Sequence, residues 1–382
     1  MAGRTVDLVA AGPCSPDPYD PAAPAWALAA GLAARGDRVR VLHPPGPSGG
    51  TPVDGVEAVR VDIPLRRPGA AVEGAELASA ASRRIRVEAD LVIRDPIGLG
   101  TLLGGRRRSG STTLVGVVRG VELAAFDGVA SHRHPVNLVE RVETWRDRRS
   151  LRRLEREALA EADRLFYDDP EVPAALGREY SVDPRLLTPA PAPVLGGALP
   201  SREEARRQLR LPLDVLVVAA PVTSEDPNSP EAVAVQESFR RVRSLFVGAR
   251  LVGVGAAAAR TEPGVTWVPE RTTSSLECAF VAADIALVAP SVPRFDPGSV
   301  LAMRSRCAVL ASPTVRFATP PARAVQFAAS SDPADLAAAL AELLADPEGR
   351  RHLVEAGSAF AEGFDPERVA TTIAVERRAV AA

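Results

Sequence analysis

Short runs of β-branched and aliphatic residues alternate along the chain with longer Ala-, Leu- and Arg-rich stretches of helical period. That alternation is the pattern of parallel sheets covered by helices. Val6–Ala11 reads as a first strand, Pro24–Arg35 as an Ala-rich helix stopped by Gly36, and Arg38–Leu42 as a second strand. Strands are expected at Val56–Ile63, Asp90–Ile93, Leu114–Val118 and Arg164–Tyr167, with a long Arg-rich helix over Leu138–Ala162.

The period then breaks. Thr188–Pro200 reads TPAPAPVLGGALP, a Pro/Gly/Ala linker. Ser201 next caps a helix, with Glu204 at the capping-box position. A second series begins: strands at Val215–Ala219, Arg250–Val254, Val265–Val268, Ile285–Ala289, Ala308–Ala311 and Ala324–Phe327. Helices are expected at Pro230–Leu245, Ser274–Ala282, Gly298–Arg304 and Asp332–Leu344, and from Arg350 to the end with a turn near Gly363. Two such series joined by one linker predict an α/β protein of two Rossmann-like domains facing an interdomain cleft. Ligands in such sheets sit beyond the carboxyl ends of the strands.

Composition narrows the function classes. At 382 residues the chain suits two domains of ordinary size. With 46% hydrophobic and 25% charged residues and a net charge of -2, nothing attracts nucleic acid by bulk charge. All 46 basic residues are arginine, so Schiff-base and phosphate-loop lysines are excluded. Cys14, Cys278 and Cys307 are scattered without CxxC spacing, which predicts reduced thiols in the cytoplasm and no zinc site. No window approaches ~20 apolar residues, so no membrane span is expected. AGPCSPD after the first strand is not a dinucleotide fingerprint, and no GxSxG or HExxH occurs, so no cofactor is expected.

Several segments, in order, resemble glycosyltransferase family 4, the retaining GT-B family: GLAARGDRVRVLHPPG (31–46), Asp90-Leu-Val-Ile-Arg-Asp-Pro, Glu161-Ala-Asp-Arg-Leu-Phe-Tyr with GREYSVDPRLL (177–187), FVGARLVGVG (246–255), PGVTWVPE (263–270), AFVAADIALVAPS (279–291), SSDPADLAAALAELLADPEGRRHLVEAG (330–357) and FDPERVA (364–370). The resemblance implies an acceptor-side domain over 1–190, a linker at 191–200 and a donor-side domain over 201–362. A last helix at 363–382 is then expected to pack back on the first domain. It also implies a nucleotide-sugar donor, whose departing diphosphate must be stabilised electrostatically.

The family's devices for that task are altered. Where a Gly-Gly turn belongs, the chain has Asp20-Pro21-Ala22-Ala23-Pro24, which removes donors and adds an acid. Between Leu211 and Phe239, where the family places an Arg/Lys pair, there is no basic residue. Aligning VLAMRSRCAVLAS (300–312) puts Pro293 and Leu301 in the places of two glutamates, and the small-residue turn becomes Arg304-Ser305-Arg306. Arg119 stands where the family carries an acceptor-side His, and an arginine there could bind an anion. Each charged contact to a phosphate contributes about 1.5–3 kcal/mol. Their joint loss predicts a transferase-like protein with lost or weakened donor chemistry, acting as a partner of an active glycosyltransferase or as a binder of a saccharide or nucleotide.

The alternative is an active transferase with a non-standard donor site. There Arg294, Phe295, Asp296 and Ser299 would replace the missing pair, with Arg304 or Arg306 near phosphate and Asp296 and Arg119 as catalytic candidates. Two further features are weaker. His132-Arg133-His134 is a poor metal motif. The stretch 140–157 carries interleaved Arg and Glu or Asp, which suits a solvated helix, or a face for a partner or a peripheral membrane contact.

Overall fold

The computed structural model describes residues 3–45, 53–61, 84–85, 88–95, 112–119, 149, 152–153, 155–224, 226–255 and 263–375. They form two compact units, one of residues 1–15, 21–193 and 366–382, the other of 16–20 and 194–365. Residues 16–20, flanked on both sides by chain of the first unit, thus belong by their contacts to the second.

The first unit contains β1 (Thr5–Ala10), α1 (Ala23–Ala34), β2 (Arg38–His43), β3 (Val56–Arg60), β4 (Leu91–Asp95), β5 (Thr113–Val118), β6 (Arg164–Tyr167), α2 (Val172–Tyr180) and β7 (Leu187–Pro189). Its sheet runs β3-β2-β1-β4-β5-β6-β7 with every pair parallel. The core packs Val6, Leu8 and Ile93 of the sheet against Trp26, Leu28 and Leu32 of α1. Helix α1 is apolar nearly all round because its outer side is covered by the chain's last helix, whose Val369, Ala370 and Ile373 join the same core. Gly31 permits this approach: a Cβ there would lie 2.0 Å from the Pro366 carbonyl oxygen. Of the long helix expected over 138–162, residues 155–161 are helical and most of the remainder lies outside the described residues. Helix α2 and strand β7 have no counterpart in the sequence reading; α2 buries only Val172 and Leu176, and β7 is three residues ending at a proline.

The second unit contains α3 (Arg202–Gln208), β8 (Val217–Pro221), α4 (Pro230–Arg243), β9 (Arg250–Val254), β10 (Val265–Val268), α5 (Thr273–Ala282), β11 (Ile285–Val288), α6 (Pro297–Arg304), β12 (Ala308–Ala311), β13 (Gln326–Phe327), α7 (Pro333–Ala345) and α8 (Pro347–Ala361). The sheet order is β10-β9-β8-β11-β12-β13, again parallel throughout. Alternate strand residues serve two cores. Val217, Ala219, Ala286 and Val288 face α5 and α6, while Val218, Ala220, Ile285 and Leu287 face α4 and α7. A strand with both faces covered needs the unbroken apolar runs that the sequence shows. Helix starts follow capping chemistry: Ser201, Ser229, Thr272, Asp296, Asp332 and Asp346 each accept a hydrogen bond from an amide of the first turn. The strand expected over Ala324–Phe327 shortens to Gln326–Phe327.

Helix α9 (Pro366–Val375) follows and returns to the first unit. On the second unit's side of the two chain crossings, the Val194 amide donates to the Phe364 carbonyl, 3.0 Å. No helix among the described residues is long and apolar enough to cross a membrane.

Candidate functional site

The richest cluster of polar side chains in the second unit lies beyond the carboxyl ends of β8 and β11. Strand β8 ends at Pro221, and Val222 and Thr223 follow. Glu231, buried in the first turn of α4, accepts from the Thr223 amide at 3.0 Å and from its hydroxyl at 2.6 Å. After β11, the backbone of Arg294 is held between Thr314 and Arg316, its amide donating to the Thr314 carbonyl and its carbonyl accepting from the Arg316 amide, both 2.9 Å. That anchorage aims the guanidinium at the end of β8. Its Nη2 donates to Thr223 Oγ1 at 3.0 Å and stands 3.7 Å from Glu231 and 3.9 Å from Asp296.

Asp296 is the N-cap of α6. Its Oδ1 accepts from the Ser299 amide, 3.1 Å, which satisfies one of the free donors at the helix start. The residue is 1% exposed, and burial raises its carboxyl to about 6 against the attraction of Arg294 and the hydrogen bonds from Tyr19 and Ser299. Ser299 is fully buried, and its Oγ finds no hydrogen-bond partner among the described residues; nor does Arg294 Nε.

Residues 16–20 close this cluster. The turn is tied by the Tyr19 amide donating to Asp17 Oδ1 at 2.9 Å and by the Asp20 amide donating to the Asp17 carbonyl at 3.1 Å. The Thr273 amide donates to the Pro16 carbonyl, 2.9 Å. The Tyr19 hydroxyl donates to Asp296 Oδ1, 3.0 Å. Its half-buried ring lies 5.5 Å from the Arg294 guanidinium and 5.3 Å from that of Arg271, within range of both as cation–π partners. Arg271 is itself gripped by Asp17, with Nη2 to Oδ2 at 2.6 Å and Nε to both oxygens at 3.1 Å. Its Nη1 donates to the carbonyls of Val222 and Thr223. Burial opposes the Arg271 charge, yet Asp17 more than offsets that and raises its pKa. Gly298 makes room for the tyrosine: a Cβ there would fall 2.2 Å from the Tyr19 hydroxyl.

The cluster brings together Arg294, Asp296 and Ser299 from the sequence candidates. Two others point elsewhere. Phe295 stacks on Phe364 at 5.7 Å and meets Phe317 edge-on at 6.2 Å, so its ring belongs to an aromatic core. Arg304 ends α6, about 12 Å along the axis from the N-cap at 1.5 Å per residue. Its Nη1 donates to the Val194 carbonyl at 3.0 Å, where Glu277 accepts from the Gly197 amide; together they fasten the linker. Arg306 is exposed in a left-handed conformation (φ 57°) just past the helix.

Arg119 lies in the first unit, at the carboxyl end of β5. It does not present a free cation. Its Nε and Nη2 each reach Asp95 at 2.5 Å, and Nη1 reaches Asp168 at 2.6 Å. Burial works against its charge, but the two carboxylates outweigh burial and raise its pKa further. The guanidinium is thus already engaged by two buried carboxylates, an arrangement the sequence reading of Arg119 as an anion site does not foresee.

Asp17, Tyr19, Thr223, Glu231 and Arg271 were absent from the sequence candidates. Arg271 supplies, from the loop between β10 and α5, a cation that the stretch after β8 lacks. A groove of about 860 Å³ bounded by Ala198–Pro200, α3, Thr266–Pro269 and α5 is lined by none of these residues. Among the described residues no group of three or more His, Cys, Asp or Glu could hold a metal. His132 and His134 lie outside the described residues.

Two parallel sheets of this order and connection match known structures over nearly their whole length. Sucrose-phosphate synthase from Thermosynechococcus elongatus superposes with a TM-score of 0.70 at 18% identity, covering 99% of each chain. The chain has the GT-B fold. WaaG, a glycosyltransferase of lipopolysaccharide biosynthesis, matches with a TM-score of 0.69 at 17% identity over 97% of this chain and 98% of its own. HepE from Anabaena, in a complex with UDP-glucose, matches at 0.67 and 13% identity over 98% and 99%. No protein-family model matches the sequence, and no curated protein matches it.

Proposed function

We propose that this chain is a glycosyltransferase-like protein whose nucleotide-sugar donor chemistry is lost or strongly weakened, and that it serves as a partner or regulatory subunit of an active transferase. The observation that carries this reading is the neutralisation of the β8–β11 end by the chain's own acids. Arg271 is paired with Asp17; Arg294 faces Glu231 and Asp296; and the first turn of α6 is capped by the Asp296 side chain. A departing diphosphate needs unpaired donors in a preorganised site. Here each cation already faces a carboxylate, and the Ser299 amide at the helix start is already taken.

One observation favours the alternative, an active enzyme with an unusual donor site: Arg271 and Arg294 both reach Thr223, through its carbonyl and its hydroxyl. HepE holds UDP-glucose in the same fold. Binding decides between the two. A native-state ligand at a hundred times its dissociation constant stabilises by about 2.7 kcal/mol, several degrees of melting temperature for a unit of this size. UDP, GDP and their sugar conjugates at millimolar concentration are expected to leave the melting temperature unchanged and to yield no free sugar. A shift of several degrees, or steady hydrolysis of one conjugate, would overturn the pseudoenzyme reading in favour of the enzyme.

A further inference from the structure

We infer that the turn 16–20 is an autoinhibitory latch, with Asp17 and Tyr19 acting as an internal anion mimic that competes with a phosphoryl ligand for Arg271 and Arg294. The inference rests on the reading above and adds the cause of the closure. Asp17 addresses Arg271 as a phosphate would, through the Nε–Nη2 edge of the guanidinium. Tyr19 lays its ring near both guanidinium groups and plants its hydroxyl on the N-cap carboxylate of α6.

The seat is shaped for this occupant and is also poised to lose it. Gly298 supplies the space into which the tyrosine hydroxyl fits. The Asp17–Arg271 pair keeps 26% and 21% of its side-chain surface exposed, so solvent screens it and a competing anion can reach it. Withdrawal of the turn removes one carboxylate. Arg271 then keeps the Val222 and Thr223 carbonyls, which satisfy hydrogen bonds without cancelling its charge. Two buried polar atoms of the cluster, Ser299 Oγ and Arg294 Nε, lack partners among the described residues, so the latch leaves them unsatisfied.

The test is calorimetric titration of UDP and of inorganic pyrophosphate into the full chain and two variants. Asp17→Ala/Tyr19→Ala removes the latch outright. Asp17→Asn/Tyr19→Phe keeps its volume while removing its charge and hydroxyl, so it decides the matter if the first variant does not fold. The expected result is no measurable binding by the native chain and at least a tenfold gain in UDP affinity on opening, with pyrophosphate competing and Arg271→Gln abolishing the gain. If neither the native chain nor a folded open variant binds, the latch is refuted and the loss of donor binding stands. Equally tight binding by native and open forms sinks both ideas, because the turn then competes with nothing. A gain that survives Arg271→Gln also refutes the latch, since the ligand would be bound elsewhere.

Discussion

Asp296 offers the sharpest quantitative test of the site, because a buried acid at a helix N-cap is subject to opposed effects. The hydrogen bonds from Ser299 and Tyr19 and the charge of Arg294 favour its ionised form, while near-complete burial disfavours it. Burial prevails and holds the carboxyl at about 6 rather than its ordinary 3.8. The folded state therefore binds more protons than the unfolded state between those values. By linkage, the Asp296 contribution to stability is most favourable near pH 4, falls as pH rises to about 6, and is constant above. At 1.36 kcal/mol for each tenfold in ionisation, the full fall is roughly 3 kcal/mol.

Asp296→Asn isolates this contribution. The amide oxygen can still accept from the Ser299 amide or the Tyr19 hydroxyl, but it carries no charge to be desolvated. Groups that titrate away from this site contribute equally to both proteins and cancel in the difference. Asparagine is expected to be nearly neutral below pH 4, and to stabilise the second unit by roughly 2 kcal/mol more at pH 7.5 than at pH 4.5. Hydrogen exchange of α6 peptides as a function of urea reads this unit separately from the first. An Asn variant less stable than the parent by the same amount at every pH would refute the reasoning, for it would mean that Asp296 is ionised at little cost and that its charge supports the fold.

Three further changes test the surroundings. Arg119→Ala leaves Asp95 and Asp168 buried without a counter-charge and should cost about 3–5 kcal/mol in urea unfolding, with much of the loss recovered by adding Asp95→Asn. Gly31→Ala drives a methyl group into the Pro366 carbonyl and should destabilise by about 1–3 kcal/mol, with faster exchange in α9 than elsewhere; unchanged α9 protection would contradict the close packing. Arg306→Gly relieves a left-handed arginine after α6 and should stabilise by about 1 kcal/mol, read as a rise in urea midpoint at constant slope.

The fold was legible because its determinants are local. Buried parallel strands such as Val217–Pro221 and Ile285–Val288 must be apolar on both faces, and helix starts at Ser201, Ser229 and Asp332 carry their own caps. Arg294, Asp296 and Ser299 were legible for the same reason, being neighbours in sequence. Phe295 and Arg304 share that stretch but point elsewhere, since a side chain's direction depends on helix phase and on what it packs against. Arg271 is not legible from chain order, because the stretch after β8 holds no cation, whereas the end of a parallel sheet gathers loops from every strand. Asp17 and Tyr19 are less legible still. Residues 16–20 read as the opening loop of one α/β unit, and no local pattern signals that they pack with residues more than 250 positions away.

The charges at the end of β8 make sense together. Each guanidinium has a carboxylate: Asp17 on Arg271, and Glu231 and Asp296 around Arg294. One free amide of α6, that of Ser299, is engaged by the same Asp296 that receives the Tyr19 hydroxyl. One aspartate thus serves as helix cap, counter-charge and seat for the tyrosine, and Gly298 two residues later clears the space that seat needs. On the latch proposal, a site assembled this way resists an outside anion through occupancy rather than through absence of cations. Its remaining affinity is therefore set by how readily residues 16–20 leave.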